Sequence, residues 1–280
     1  MEPLTTFPTR RQCGRPGVSN GLLCRQPPPG LGRIALPVIM QADLSFERQL
    51  ANLKHESTAI AYYVYAENTI EHAASQSKKL LSRLNQTPTF WLTTSSALQA
   101  SAYIAIARVF DEKSSRYNVF ALLDAMEHEF SIFGREGLAQ RKIDGQASPP
   151  WLSEYLDKAY YPTKSDVDRL RRYVDAYNRL NQRALLPARH TYLAHRSVLD
   201  SHNVQALFGR GTVKQLWRIA TFLLRLENAL WELLHNGRRP ILRPAPYAIQ
   251  GLFESSNSHS SSPHVRIVHE TRLLMEMLEK

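Results

Sequence analysis

Apolar residues return at every third or fourth position along most of residues 43–236, and nowhere do they alternate in the two-residue rhythm of a half-buried strand. That pattern confines the chain to an all-α fold, a bundle of amphipathic helices with shorter helices between the long ones. With 280 residues, 43% of them hydrophobic, the chain can bury one sizeable core. No stretch reads as a membrane span. The nearest, Phe90 to Phe110, carries Thr93, Thr94, Ser95, Ser96, Gln99 and Ser101 before Arg108, which suits a packed helix better than a bilayer.

The pattern divides the chain. Residues 1–40 are rich in Pro, Gly and Arg, with Glu2 the only acid, and cannot bury enough apolar area to offset their ordering entropy. A disordered tail is expected there, with Met40 as an alternative biological start. Both cysteines, Cys13 and Cys24, lie in this tail. A cysteine-free remainder argues against a disulfide scaffold and for a reducing, cytoplasmic setting. Two cysteines without neighbouring histidines make no zinc site, so no metal is expected.

A kinked helix is expected from Asp43 to Gln86, with Leu53, Ile60, Val64, Ile70, Leu81 and Leu84 along its stripe. Glu67 falls on that stripe, either to orient a basic group in a site or to pair with an arginine at the stripe's edge. Pro88 ends that helix or opens the next, and residues 90–110 form a second helix, apolar or small nearly all round, which belongs at the centre of a bundle or in a subunit interface. Arg108 and Asp111 close it three residues apart and can pair. Short helices follow at Asn118–Phe130, at 134–142 and at Trp151–Tyr160. Ser165 and Asp168 then read as a capping box, opening a helix with Val167, Leu170, Val174, Tyr177 and Ala184 inward. Pro187 kinks or restarts it. Thr212 and Gln215 cap the last long helix, whose buried face carries Leu216, Ala220, Leu223, Leu230 and Leu234, and Asn236-Gly237 stops it. Residues 41–240 thus form one helical domain. A linker is expected at 241–263 and a docking helix at 264–280, facing inward through Ile267, Thr271, Leu274 and Leu278.

The chemistry concentrates between Leu185 and Asp200, where Arg189, His190 and His195 follow the Pro187 break. The guanidinium fork of arginine suits phosphate, and histidine changes charge nearest neutral pH. The net charge of +10 favours a phosphate-rich partner or an anionic membrane surface. Together such groups suffice for RNA cleavage without metal or cofactor: the ribose 2′-OH attacks its phosphate, a histidine moves the proton, and an arginine stabilises the phosphoryl oxygens. The pattern Arg-x(4–6)-His is itself common, since Arg48–His55, Arg183–His190 and Arg196–His202 also fit it. On a straight helix, residues six apart lie about 9 Å apart along the axis and about 120° apart around it. A kink, a long arginine reaching sideways, or a second copy of the chain must bring Arg189 and His195 together.

Arg189-His-x-x-x-Ala-His195, following several helices, resembles the motif of the HEPN superfamily of nucleotide-handling domains, in its abortive-infection (phage-resistance) branch. Arg108-Val-Phe-Asp111, Arg141-Lys142, the Trp151 segment and Leu234-His-Asn-Gly-Arg-Arg-Pro240 resemble that branch too. The resemblance implies an all-α helical bundle of HEPN type acting as a metal-independent endoribonuclease in a toxin or antiviral-defence role. It also implies a homodimer in which both copies line one cleft, with an antitoxin or regulatory protein as a further partner. Arg189 would stabilise the phosphate and His195 transfer the proton, with His190 auxiliary. Glu67, Arg108 and Asp111 are the supporting candidates read from the residues. Ser197 stands where the nucleotidyltransferase-modified branch carries Tyr, which argues against regulation by that route. A non-catalytic HEPN module that binds RNA or a protein, and an unrelated helical adaptor, stay open at this point.

Overall fold

The computed structural model describes residues 45–113, 115–143, 147–185, 213–244, 248–256, 260 and 262–280. Its elements are α1 (Phe46–Gln76), α2 (Lys78–Leu84), α3 (Pro88–Val109), α4 (Val119–His128), a 3₁₀ turn (Phe130–Phe133), α5 (Arg135–Ile143), α6 (Leu152–Lys158), α7 (Lys164–Ala184), α8 (Val213–Asn236), α9 (Ile249–Ser255) and α10 (Pro263–Glu279). No strand occurs among the described residues. The chain is all-α.

Local chemistry sets most of the boundaries. The expected kink before Gln86 is a full break: Ser77 is extended, at φ −129°, and its hydroxyl accepts from Leu80 N at 3.1 Å to start α2. Asn118 caps α4 by accepting from the N–H groups of Phe120 and Ala121, both at 2.9 Å. The capping box of α7 corrects the Ser165/Asp168 reading. Thr163 and Asp166 make it instead, two residues earlier. Both triplets fit the same pattern, but Asp166 also accepts from Tyr160 Oη at 2.6 Å and Arg169 at 2.7 Å, so side chains within six residues favour the earlier register.

The centre of the bundle is α1. The helices α3, α4, α8 and α10 all pack against it. Its buried residues run consecutively from Val64 to Thr69, so no side of that turn faces water. On α8, Leu216, Ala220, Leu223, Leu230 and Leu234 are buried as their spacing predicts, and Tyr65 of α1 meets Trp217 at 4.1 Å between ring centroids. The Tyr65 hydroxyl pairs with Thr221 Oγ1 at 2.9 Å, and burial pushes its pKa up to about 12.

Two expectations change. The apolar helix α3 is not central. Only its C-terminal half, from Ala102, is buried, while Phe90, Leu92 and Ile104 are 61%, 68% and 41% exposed. Its small residues offer little area, and the longer α1 takes the middle. At the C-terminus, α10 packs on α1 through Val268, Thr271 and Met275, and Leu274 and Leu278 face outward. The inward face is turned because α10 also meets α2, where Met275 joins Leu80, Leu84 and Ala73. No helix among the described residues is long and apolar enough to cross a membrane.

Truncating the inner face should cost far more than truncating the outer. Leu230→Ala, fully buried, should lower unfolding free energy by about 3 kcal/mol, whereas Leu92→Ala should change it by less than about 0.5 kcal/mol. Urea denaturation of the two variants checks the ranking.

Candidate functional site

Arg189, His190 and His195 lie outside the described residues, as do Pro187 and Ser197. The structure describes the frame on either side of them. Leu185, directly after α7, is 1% exposed in the core, and α8 begins at Val213. Tyr177 of α7 stacks on Phe222 of α8, with centroids 3.9 Å apart and planes 7° from parallel. Both ends of the motif-bearing segment are therefore anchored in the same core.

The supporting candidates are placed apart. Glu67 is buried within α1, where its Oε1 accepts from Ser95 Oγ and from Gln99 Nε2, the latter at 3.1 Å, across the contact with α3. Among the described residues no basic group bonds it, so it orders a hydroxyl and an amide of α3. Burial and the nearby Glu67 raise the carboxyl pKa of Glu71, one turn on. Arg108 forks onto Glu56 of α1, Nη2 to Oε2 at 2.8 Å and Nε to Oε1 at 3.3 Å, tying the far end of α3 to α1. Asp111 accepts from Lys113 N at 3.2 Å in the turn that follows. Arg108 lies nine residues beyond Gln99, about 13 Å along α3, so Glu67 and Arg108 do not share a site.

The remaining motif residues do converge, on the C-terminus of α8. A helix end leaves carbonyls without partners and carries partial negative charge. Arg141 of α5 donates from Nε to Leu234 O at 3.0 Å and from Nη2 to Ile132 O at 2.6 Å. Lys142 Nζ donates to Asn236 Oδ1 at 2.8 Å, Tyr155 Oη to Asn236 O at 2.8 Å, and Tyr160 N to Gly237 O at 2.6 Å. Gly237 itself takes φ +55° and donates to Leu233 O at 3.1 Å, closing the helix. Arg141-Lys142, the segment after Trp151 and Leu234 to Pro240 are thus parts of one cap. Sequence reasoning noted each separately. The available signal was an Arg-Lys pair ending one short helix and an Asn-Gly stop ending another, with no indication that they meet.

His235 sits inside this cap, its ring 4.7 Å from that of Trp231. Burial lowers its pKa, and the charges of Arg141 and Lys142 lower it further against Glu47. The cap's donors are spent on carbonyls, so this cluster positions α5, α6 and α8 and leaves no acid–base pair facing a substrate. The arginines of α7 divide in the same way. Arg169 is tied to Asp166, and Arg171 bridges to Asp124 at 2.7 Å and Glu127 at 3.0 Å on α4, whereas Arg172 and Arg179 are exposed.

The family model HEPN_AbiU2 matches residues 43–249, a span that begins just before α1, ends on the first residue of α9 and includes Arg189 and His195. No curated protein and no solved structure matches the chain.

A Cβ at position 237 would lie 2.8 Å from both Ala159 Cβ and Leu138 Cδ2, on a backbone that already disfavours a side chain. Gly237→Ala should therefore cost about 2 kcal/mol or more in thermal or urea unfolding. The depressed pKa of His235 makes native protein bind fewer protons than unfolded protein. Its contribution is full above the ordinary value of 6.5 and is lost as pH falls below it. His235→Asn should flatten the drop in Tm between pH 7.5 and 5.5, and an unchanged slope would contradict the assignment.

Proposed function

The chain belongs to the HEPN_AbiU2 family, and on that basis we propose that this abortive-infection HEPN domain is a metal-independent endoribonuclease. The observation that carries the reading is the family match running through Arg189-His-x-x-x-Ala-His195, the one stretch with both a phosphate-gripping and a proton-moving group in the family's motif. The net charge of +10 supports an RNA substrate by drawing in phosphate.

In this mechanism His195 takes the proton of a ribose 2′-hydroxyl, and the 2′-oxygen bonds to the adjacent phosphorus. The bond from phosphorus to the 5′-oxygen breaks, and that oxygen leaves with a proton from His190 or water. Arg189 neutralises the charge that builds on the non-bridging oxygens. The products are a 2′,3′-cyclic phosphate and a 5′-hydroxyl, and no electron or metal is required.

A homodimer belongs to the same proposal. A second copy of the chain is one way to bring an Arg189 and a His195 together, and α3 offers a face for it. Phe90, Leu92 and Ile104 stand exposed there, with the small residues Thr93, Ser96 and Ala97 beside them. Action in the cytoplasm in a toxin or defence role, under an antitoxin or regulatory protein, completes the reading.

RNA should be cut in excess EDTA with cyclic-phosphate ends, and His195→Ala should slow cutting by about 100-fold or more with unchanged circular dichroism. Cleavage at the wild-type rate in that variant would remove His195 from the mechanism. RNA retained without any product would favour the non-catalytic module. Ile104→Glu should shift the sedimentation of the dimer toward monomer and reduce cleavage with it.

A further inference from the structure

Two concavities on the described surface share a wall. The first, a cavity of about 100 Å³, lies between α7 and α8, with Tyr173, Tyr177 and Phe222 as its aromatic side and Arg218, Arg225 and Arg243 at its edge. The second, an open groove of about 630 Å³, continues from Arg225 and Arg243 past Arg238 and Arg239 to His264 at the start of α10. A groove of that size suits a small ligand or a short run of a polymer.

The charges in this groove are unevenly compensated. Glu232 is engaged by Arg238 at 3.1 Å and by Asn236 at 2.9 Å, and Arg239 lies over the Tyr160 ring at 5.5 Å. Glu227 also lines the groove, its carboxyl pKa raised by burial against the pull of Lys54. Arg218, Arg225 and Arg243 have no carboxylate within ion-pair distance among the described residues, and Arg225 instead donates from Nη1 to Arg243 O. His264 packs its ring 5.4 Å from Tyr65, and its buried Nδ1 has no protein partner. Burial, and then the charge of Arg225, lower the pKa of that imidazole.

Three guanidiniums line the smaller cavity with no carboxylate among its lining residues, and a bound anion relieves their mutual repulsion. Phosphate matches the guanidinium fork. An aromatic wall beside the same arginines adds a surface on which a base can stack. We propose that this face binds a nucleotide unit, with its base against Tyr173 and Tyr177 and its phosphate between Arg225 and Arg243. The unit is either a free nucleotide or one residue of a single RNA strand. The site uses none of Arg189, His190 or His195, and it stands whether or not the chain cleaves RNA.

The test uses the full chain in EDTA, with His195→Ala as background so that the RNA probe survives. Binding is measured for AMP, for ribose 5-phosphate and for a fluorescent oligoadenylate of about 12 nucleotides. AMP should bind more tightly than ribose 5-phosphate. Tight AMP binding identifies a free-nucleotide site, and tight oligoadenylate with weak AMP identifies a strand site. Arg243→Glu should weaken the favoured probe about tenfold and reduce its salt dependence by about one phosphate. Tyr173→Ala should weaken it about fivefold without affecting ribose 5-phosphate, and Tyr173→Phe should restore it. Both positions are exposed, so these variants should fold, and Tm confirms it. If folded Arg243→Glu and Tyr173→Ala bind like the parent, or if the parent binds neither AMP nor oligoadenylate, the site is refuted. Loss of cleavage alone would leave it standing, and loss of binding alone would leave the nuclease reading standing.

Discussion

Enclosing a 31-residue helix on most of its circumference is the constraint that the rest of this structure obeys. An enclosed helix must bury whatever its sequence places on each face, and α1 buries Gln49, Ser57, Glu67, Asn68 and Thr69 along with its aliphatic residues. Each polar group needs a partner, because an unmade buried hydrogen bond costs about 1–3 kcal/mol. Most find one nearby. Asn68 donates to Val64 O and Thr69 to Tyr65 O, back along the helix, and Gln49 reaches Arg116 O. Glu67 finds its partners on α3 and Tyr65 on α8, so these two side chains hold neighbouring helices in one register against α1.

The second support is electrostatic, at the C-terminus of α8. That helix supplies the largest share of aliphatic core, and its end would leave carbonyls in a partly buried place. Arg141, Lys142, Tyr155 and Tyr160 answer those carbonyls from three different segments, and Gly237 gives the turn that lets them approach. The residues that carry most of the family likeness outside the Arg–His motif are therefore the ones that fasten α8 to α5 and α6. They fasten the end of α8 farther from the segment holding Arg189 and His195, whereas Leu185, directly before that segment, is buried in the core.

The positive charge is not one feature. Arg108 and Arg171 are tied to carboxylates on neighbouring helices, and Arg169 to Asp166 within α7. Arg218, Arg225 and Arg243 have no such partner among the described residues and line a cavity with aromatic rings. A net charge counts both groups alike, and only position separates the arginines that hold the bundle from those left for a ligand.

Much of the helical architecture was legible in the residues alone. The inward faces of α7 and α8 and the stop at Gly237 follow from periodicity and local hydrogen bonding, which act within a few residues. The Arg189–His195 motif is legible in the same way, as a string of residues whose placement lies outside the described structure. Tertiary structure alone decided that α1 rather than α3 is central, that Arg108 takes Glu56, and that α10 turns Val268 and Met275 inward. It also brought Tyr173, Arg225 and Arg243 to one edge. The reason is range. Periodicity states that a face is buried, but the partner that buries it lies tens or hundreds of residues away, and competing faces of similar apolar area are settled only when the whole chain packs.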